Sequence, residues 1–450
     1  MDFLRKNRIY LIIFLYLIVK LFAISVYKTI WWDPAVYIGM GKHIYSLGNS
    51  GLWEPSRPLV WPLILGFFWK SDLNYIMLGR IMDILSGSLC ILLTYLIGKK
   101  IFNEKIGLLS SFLLAISPTF FFFSGIMLTE PISTFFSLLA IYLLIKNRHF
   151  ASGLLFGISF MIRFLQLFAF IGVILALIYN KKHVKPYPKI FFGFIIAVLP
   201  YLFINQILYH NAFFPFLQQV FLTNNSGWLN HQPISYYFIG LFKDNFLYLL
   251  SIVGIVFMLR KPGSRLVAFP FIILFLFFSL IRQKEMRLLI ILLPYMCLLV
   301  SYALIYFTDL KKNLKRTATA FIFILFVSSL VQISAALISE SSKTNKYVAL
   351  QAGLEEAKGN IWISSPIIAA SSNKVAKKLV YYPFFGHNFS ELINESENAD
   401  FIFIDTCDLG CRPSDAKCES NKKEMVAFFR QKFAEIYSRQ GECLQLAFKR

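Results

Sequence analysis

Charge is scarce in this chain. Asp, Glu, Lys and Arg make up only 15% of its 450 residues, against about 25% in soluble domains. Hydrophobic residues account for 57%, and the mean hydropathy is +0.62. This shortage excludes an ordinary soluble enzyme and indicates a polytopic α-helical membrane protein. Acid is scarcer still, since only ten Asp and Glu residues precede position 340. The net charge of +21 does not point to nucleic acid, because its distribution is uneven. From Glu340 onward there are 15 bases and 14 acids, so nearly all of the basic excess falls in residues 1–339. A basic excess confined to the membrane portion reads as cytoplasmic loops, and nucleic acid is not expected as a partner. Internal repeats and low-complexity tracts are absent. Paired Cys-x-x-Cys sites of the zinc type are absent too.

What remains is a succession of apolar runs, at about 9–28, 74–98, 106–123, 129–145, 150–163, 166–180, 190–209, 241–259, 266–281, 288–307 and 317–338. They predict about eleven transmembrane helices. The first run follows Arg5, Lys6 and Arg8 and lacks a small-residue cleavage site, so it reads as a retained helix with a cytoplasmic N-terminus. Basic clusters then mark alternate connections: Lys99–Lys105, Lys146 with Arg148, Lys181–Lys189, Arg260–Arg265 and Lys311–Arg316. All fall inside a plasma membrane if the N-terminus does. The stretch 150–180 is too long for one upright span. Two short helices turning at Arg163–Gln166 keep the basic clusters on one side and put Arg163 in a recess. A single tilted helix with a snorkelling Arg163 is the alternative.

From Glu340 the composition becomes that of a soluble domain. Short β-rich runs (Ile361–Ser364, Leu379–Tyr382, Phe401–Asp405, Cys443–Phe448) alternate with helical stretches such as Glu424–Tyr437. They predict a small extracytoplasmic α/β domain over 340–450. Of six cysteines, Cys90 and Cys297 lie in apolar runs. Cys407, Cys411, Cys418 and Cys443 form an even set in the exported domain, which suggests two disulfides of open connectivity.

The polar residues on the outer side are few enough to weigh singly. Asp33 falls where the first helix leaves the bilayer, and acids at such boundaries are functional candidates. Glu130, in LTEPIS, starts a helix with Pro131 behind it. Asp83 sits one turn after Arg80 and could pair with it, while Asp72 and Asp244 read as solvated loop acids. The segment RQKEMR places Arg282, Lys284 and Arg287 in one outer loop, against the positive-inside trend. Such bases suit an anionic partner such as a lipid phosphate, on which Arg57 and Arg163 could converge. A carboxylate beside an arginine cluster fits glycosyl transfer from a lipid phosphate to a hydroxyl.

Four stretches carry a likeness: DPAVYIGMGKHIYSLG with Asp33, SRPLVWPLIL with Arg57 and Pro58, the run from Gly79 through Thr129–Glu130–Pro131, and KEMRLLIILLP. With Arg163 in GISFMIRF, they make residues 1–339 resemble the GT-C membrane glycosyltransferases, in particular the protein O-mannosyltransferase and lipid A aminoarabinose transferase group. Pro34 stands where many relatives carry a second acid, and Leu288 where an aromatic is usual. The oligosaccharyltransferase signature WWDYG is absent. The resemblance implies a polyprenyl-phosphate-linked monosaccharide donor, an acceptor hydroxyl on a lipid, glycan or protein, and inversion at the anomeric carbon. Asp33 would be the base, with Glu130 positioning the acceptor or a divalent metal. Arg57, Arg163, Arg282, Lys284 and Arg287 would bind the donor phosphate, and Tyr37, His43, Glu54 and Glu285 would line the acceptor cavity. A lipid-linked glycan flippase and a non-catalytic membrane receptor are the alternatives.

Overall fold

Two helix breaks in this chain fall at a proline, Pro118, and at a charge, Arg163. A computed structural model describes residues 7–180, 187–310, 312–412 and 415–450. Arg5, Lys6, Lys181, Lys182, Lys185 and Lys311, which enter the topology argument, lie outside these residues. Among those described, Tyr75–Ile101, Tyr187–Tyr209, Leu293–Leu310 and Leu314–Ser341 are long and apolar enough to cross a membrane by length and composition. Shorter apolar helices include Thr129–Ile145, His149–Ile162, Gln166–Tyr179 and Arg265–Leu280. The run expected as one helix over 106–123 divides at Ser117. Glu104–Ile116 ends there because Pro118 disfavours helical geometry in the residue before it. Ser117 takes ψ 120° and caps Pro118–Phe123 through Phe120 N–H.

Asp244, read from sequence as a solvated acid, is 6% exposed. It accepts from Ser117 Oγ at 2.8 Å and from Thr119 N–H at 2.7 Å, which places a carboxylate on the N-terminus of Pro118–Phe123. The stretch 150–180 forms two helices, His149–Ile162 and Gln166–Tyr179, and Arg163 between them is extended at φ −151°, ψ 116°.

The chain divides into two compact units. The first comprises residues 1–27, 79–204 and 232–343; the second comprises 28–78, 205–231 and 344–450. The second unit holds one six-stranded sheet: β1 (Gly51–Leu52), β2 (Ile361–Ile363), β3 (Val375–Leu379), β4 (Phe401–Asp405), β5 (Ala434–Gln440) and β6 (Leu444–Lys449), in the order β1-β3-β2-β4-β6-β5. The first four of these strands in spatial order run parallel, while β6 is antiparallel to both β4 and β5.

Two boundaries differ from the sequence reading. The third strand ends at Leu379, and Tyr382 leads into the helical turn Pro383–His387. The helix Ala416–Lys432 stops short of Tyr437, because residues from Ala434 pair with β6 instead.

Strand β1 comes from the segment after the helix Trp32–Tyr45 and pairs with β3 through Gly51 to Val375 and Leu52 to Ala376. Gly51 has φ +77°, and a Cβ there would stand 2.1 Å from Gly39 O, so only glycine fits. The same helix is pinned by Lys42, which is 1% exposed. Its ammonium donates to the carbonyls of Ala370 at 2.7 Å and Ser372 at 2.9 Å, and faces the Tyr75 ring at 4.9 Å. Burial pulls Lys42 down to about 8, partly offset by the Glu355 charge.

Candidate functional site

Acid and arginine meet in two clusters, one in each unit. In the second unit Asp33 occupies the first turn of Trp32–Tyr45, where the helix N-terminus favours a carboxylate. Arg57 Nη2 lies 3.0 Å from Asp33 Oδ1, and Arg57 Nε lies 3.4 Å from Glu54 Oε1. Ser56 Oγ donates to the same Glu54 oxygen at 3.0 Å. The other carboxylate oxygen, Glu54 Oε2, is buried and accepts no hydrogen bond among the described residues. The Arg57 guanidinium stands 5.9 Å from the buried Tyr37 ring. Asp33, Tyr37, Glu54 and Arg57 are thus brought together, with Glu54 and Arg57 delivered by the chain leaving β1. His43 is not among them. It lies ten residues along the helix from Asp33, roughly 15 Å of rise, against Trp53 at 5.5 Å between rings. Burial and the nearby Lys377 charge lower its pKa.

In the first unit Glu130 is wholly buried in the first turn of Thr129–Ile145. Arg163 reaches it from the break between two helices, with Nη2 3.1 Å from Glu130 Oε1 and Nη1 donating to Thr129 Oγ1 at 2.8 Å. Arg287 Nε lies 3.7 Å from the same carboxylate and 2.7 Å from Glu285 Oε2. Tyr237, which the sequence did not single out, fixes the loop by donating to Glu285 O at 3.2 Å and accepting from Glu285 N–H at 3.1 Å.

The three bases of RQKEMR separate. Arg287 joins the cluster, Arg282 is exposed, and buried Lys284 gives its ammonium to the carbonyls of Gln232 and Ile281 at 3.1 and 2.5 Å. Asp83 was read from sequence as a structural partner of Arg80. Its Oδ2 accepts Gly125 N–H at 2.7 Å and Met127 N–H at 2.9 Å, holding the turn that leads into Thr129–Glu130. Gly125 and Met127 there have φ +130° and +64°.

The C-terminal cysteines pair as Cys407–Cys443 and Cys411–Cys418. The first bridge decides the metal question at one place. Among the described residues, the one group of three or more potential His, Cys, Asp or Glu ligands is Asp405, Cys407 and Cys443, and two of those sulfurs are joined to each other. Carboxylates in the two clusters face guanidinium groups, so the donor set does not fit a hard divalent cation. No step is derived through a metal.

Beside that bridge, Asp408 accepts from Tyr347 Oη at 2.7 Å and Ser364 Oγ at 3.0 Å. Burial, opposed by the Tyr347 hydrogen bond and the Lys346 charge, pushes Asp408 up to about 6. The folded state therefore binds more protons than the unfolded chain between about pH 4 and 6. This contribution to stability is full below that window and is lost as pH rises through it, by up to ~3 kcal/mol. Melting temperatures across pH 4–7 should show the decline, and Asp408→Asn should flatten it. An unchanged slope in the variant would assign the effect elsewhere.

The fold is similar to that of several solved chains. ArnT from Cupriavidus metallidurans bound to undecaprenyl phosphate superposes with TM-score 0.65 at 9% identity, covering 98% of each chain. The Archaeoglobus fulgidus oligosaccharyltransferase, solved with Zn and sulfate, gives TM-score 0.55 at 14% identity over 87% of this chain and 68% of that one. The archaeal oligosaccharyltransferase AglB from the same organism, in complex with an inhibitory peptide and a dolichol-phosphate, gives TM-score 0.55 at 14% identity over 89% and 70%. The family model described as dolichyl-phosphate-mannose-protein mannosyltransferase matches residues 56–204, a stretch holding Arg57, Asp83, Glu130 and Arg163. A search of curated proteins finds no match. These likenesses bear out the resemblance drawn from the motifs.

Proposed function

We propose that this chain is a polyprenyl-phosphate-dependent glycosyltransferase acting at the outer face of the plasma membrane. The observation that carries the reading is the Asp33–Arg57–Glu54 group, a helix-start carboxylate 3.0 Å from a guanidinium. Asp33 takes the proton from an acceptor hydroxyl on a lipid, glycan or protein. The oxygen attacks the anomeric carbon from the face opposite the phosphate, the carbon–oxygen bond to phosphate breaks, and polyprenyl phosphate leaves with the bonding pair. The configuration inverts. The phosphate gains negative charge as it departs, and arginines offset that charge. Arg57, 3.0 Å from Asp33, is the candidate for this role.

In this reading eleven spans carry the membrane portion (residues 1–339), the N-terminus is cytoplasmic, and residues 340–450 form an extracytoplasmic α/β domain. The undecaprenyl phosphate on ArnT and the dolichol-phosphate on AglB support a lipid-phosphate donor.

The test uses proteoliposomes with labelled dolichyl-phosphate mannose and other polyprenyl-phosphate sugars, offered lipid, glycan and protein extracts. Wild type should transfer label. Asp33→Asn should bind donor while transfer falls roughly 10²–10⁴-fold, the usual contribution of a positioned base. Normal turnover by Asp33→Asn would remove the assignment.

A further inference from the structure

The carboxyl ends of parallel strands gather loops on one edge of a sheet, and α/β folds place ligands there. In the second unit β1 and β3 run parallel and adjacent, with Leu52 opposite Ala376. The chain leaving β1 supplies Glu54 and Arg57; the chain leaving β3 supplies Tyr381. The Tyr381 ring meets Trp32, the neighbour of Asp33, edge-on at 6.5 Å and 73°, and Phe384 at 5.3 Å and 87°. Burial first, and then the Glu54 charge, hold its hydroxyl well above the usual tyrosine range, with Arg57 opposing.

Two features of this corner suit a sugar. Trp32 and Tyr381 are only partly buried, which leaves aromatic surface uncovered beside charged groups. Glu54, 8% exposed, keeps one buried carboxylate oxygen without a hydrogen bond among the described residues. A pyranose presents an apolar C–H face and a rim of hydroxyls, and aromatic walls with a few polar groups are how sites hold such a body.

We propose that Tyr381 and Trp32 form the aromatic wall of a pyranose subsite beside Asp33, with Glu54 Oε2 accepting from a sugar hydroxyl. The inference rests on the glycosyltransferase reading and extends it, because it makes the C-terminal sheet a contributor to sugar recognition.

The test compares binding of dolichyl-phosphate mannose, dolichyl-phosphate glucose and bare dolichyl phosphate to the full-length protein. Each is measured with wild type, Tyr381→Ala and Tyr381→Phe. Tyr381→Ala should lower the preference for sugar-bearing over bare lipid by about threefold to tenfold, the scale of an aromatic contact. Its affinity for the bare lipid should stay unchanged, which also reports that the variant folds. Tyr381→Phe keeps the ring face and should keep the preference. Wild-type preference in Tyr381→Ala, while wild type transfers sugar, overturns the wall alone. A loss in Tyr381→Phe equal to that in Tyr381→Ala overturns it too, since the hydroxyl would then be the contact. Wild type with neither preference nor transfer overturns both readings.

Discussion

Replacing Glu130 by alanine should destabilise the protein by about 3–5 kcal/mol, the scale seen when one partner of a buried ion pair is removed. Glu130 is wholly buried and lies 3.1 Å from Arg163 and 3.7 Å from Arg287. Arg287 retains Glu285 at 2.7 Å, so the charge most exposed to the loss is Arg163, left with the neutral hydroxyl of Thr129. The decisive variant is therefore the pair Glu130→Ala with Arg163→Leu. With no stranded guanidinium, it should recover more than half of the melting temperature that Glu130→Ala loses in detergent. Strictly additive losses would show that the two residues do not act as one buried pair.

Asp83→Ala should have the second large effect. The carboxylate accepts from the N–H groups of Gly125 and Met127, and its removal leaves two buried donors unsatisfied. At about 1–3 kcal/mol for each stranded group, the expected loss is roughly 2–6 kcal/mol. Asp83→Asn can still present one oxygen to both donors and should lose roughly 1 kcal/mol. The turn depends on those bonds, because they hold Met127 at φ +64°, a region that L residues rarely adopt. Thr129 and Glu130 follow it directly. Comparing the melting temperatures of the two variants settles the point, and equal losses would mean that the backbone bonds are not what Asp83 supplies.

Much of the membrane portion was legible because its signals are local. An apolar run too long for one span, interrupted by Arg163, predicted the break that is found between His149–Ile162 and Gln166–Tyr179. Asp33 and Glu130 stood out because an acid at the mouth of an apolar helix is costly without a use, and both occupy helix first turns. Local reasoning failed where the partner is distant in sequence. Arg80 and Asp83 share a helix face, which made their pairing the natural expectation, whereas the bonds given to Asp83 come from a turn some forty residues away. Asp244 looked solvated because nothing near it in sequence needs an anion, yet the helix start at Pro118 does. The bases of RQKEMR look alike in sequence. Only the loop path distinguishes Arg287, which faces Glu130, from exposed Arg282 and from Lys284, whose ammonium serves carbonyls. A two-residue strand such as β1 has no periodicity to detect, and Tyr381 acquires its setting only through that strand.

The lysine staple of the second unit sets a clock on synthesis. Lys42 and the Ala370 carbonyl it binds stand 328 positions apart. At about 5–20 residues per second, a ribosome needs roughly 15–65 s to make the chain between them. During that interval Asp33 and Arg57 already exist, but strand β3 does not. For that interval the nascent chain carries Gly51 and Leu52 without the strand they pair with.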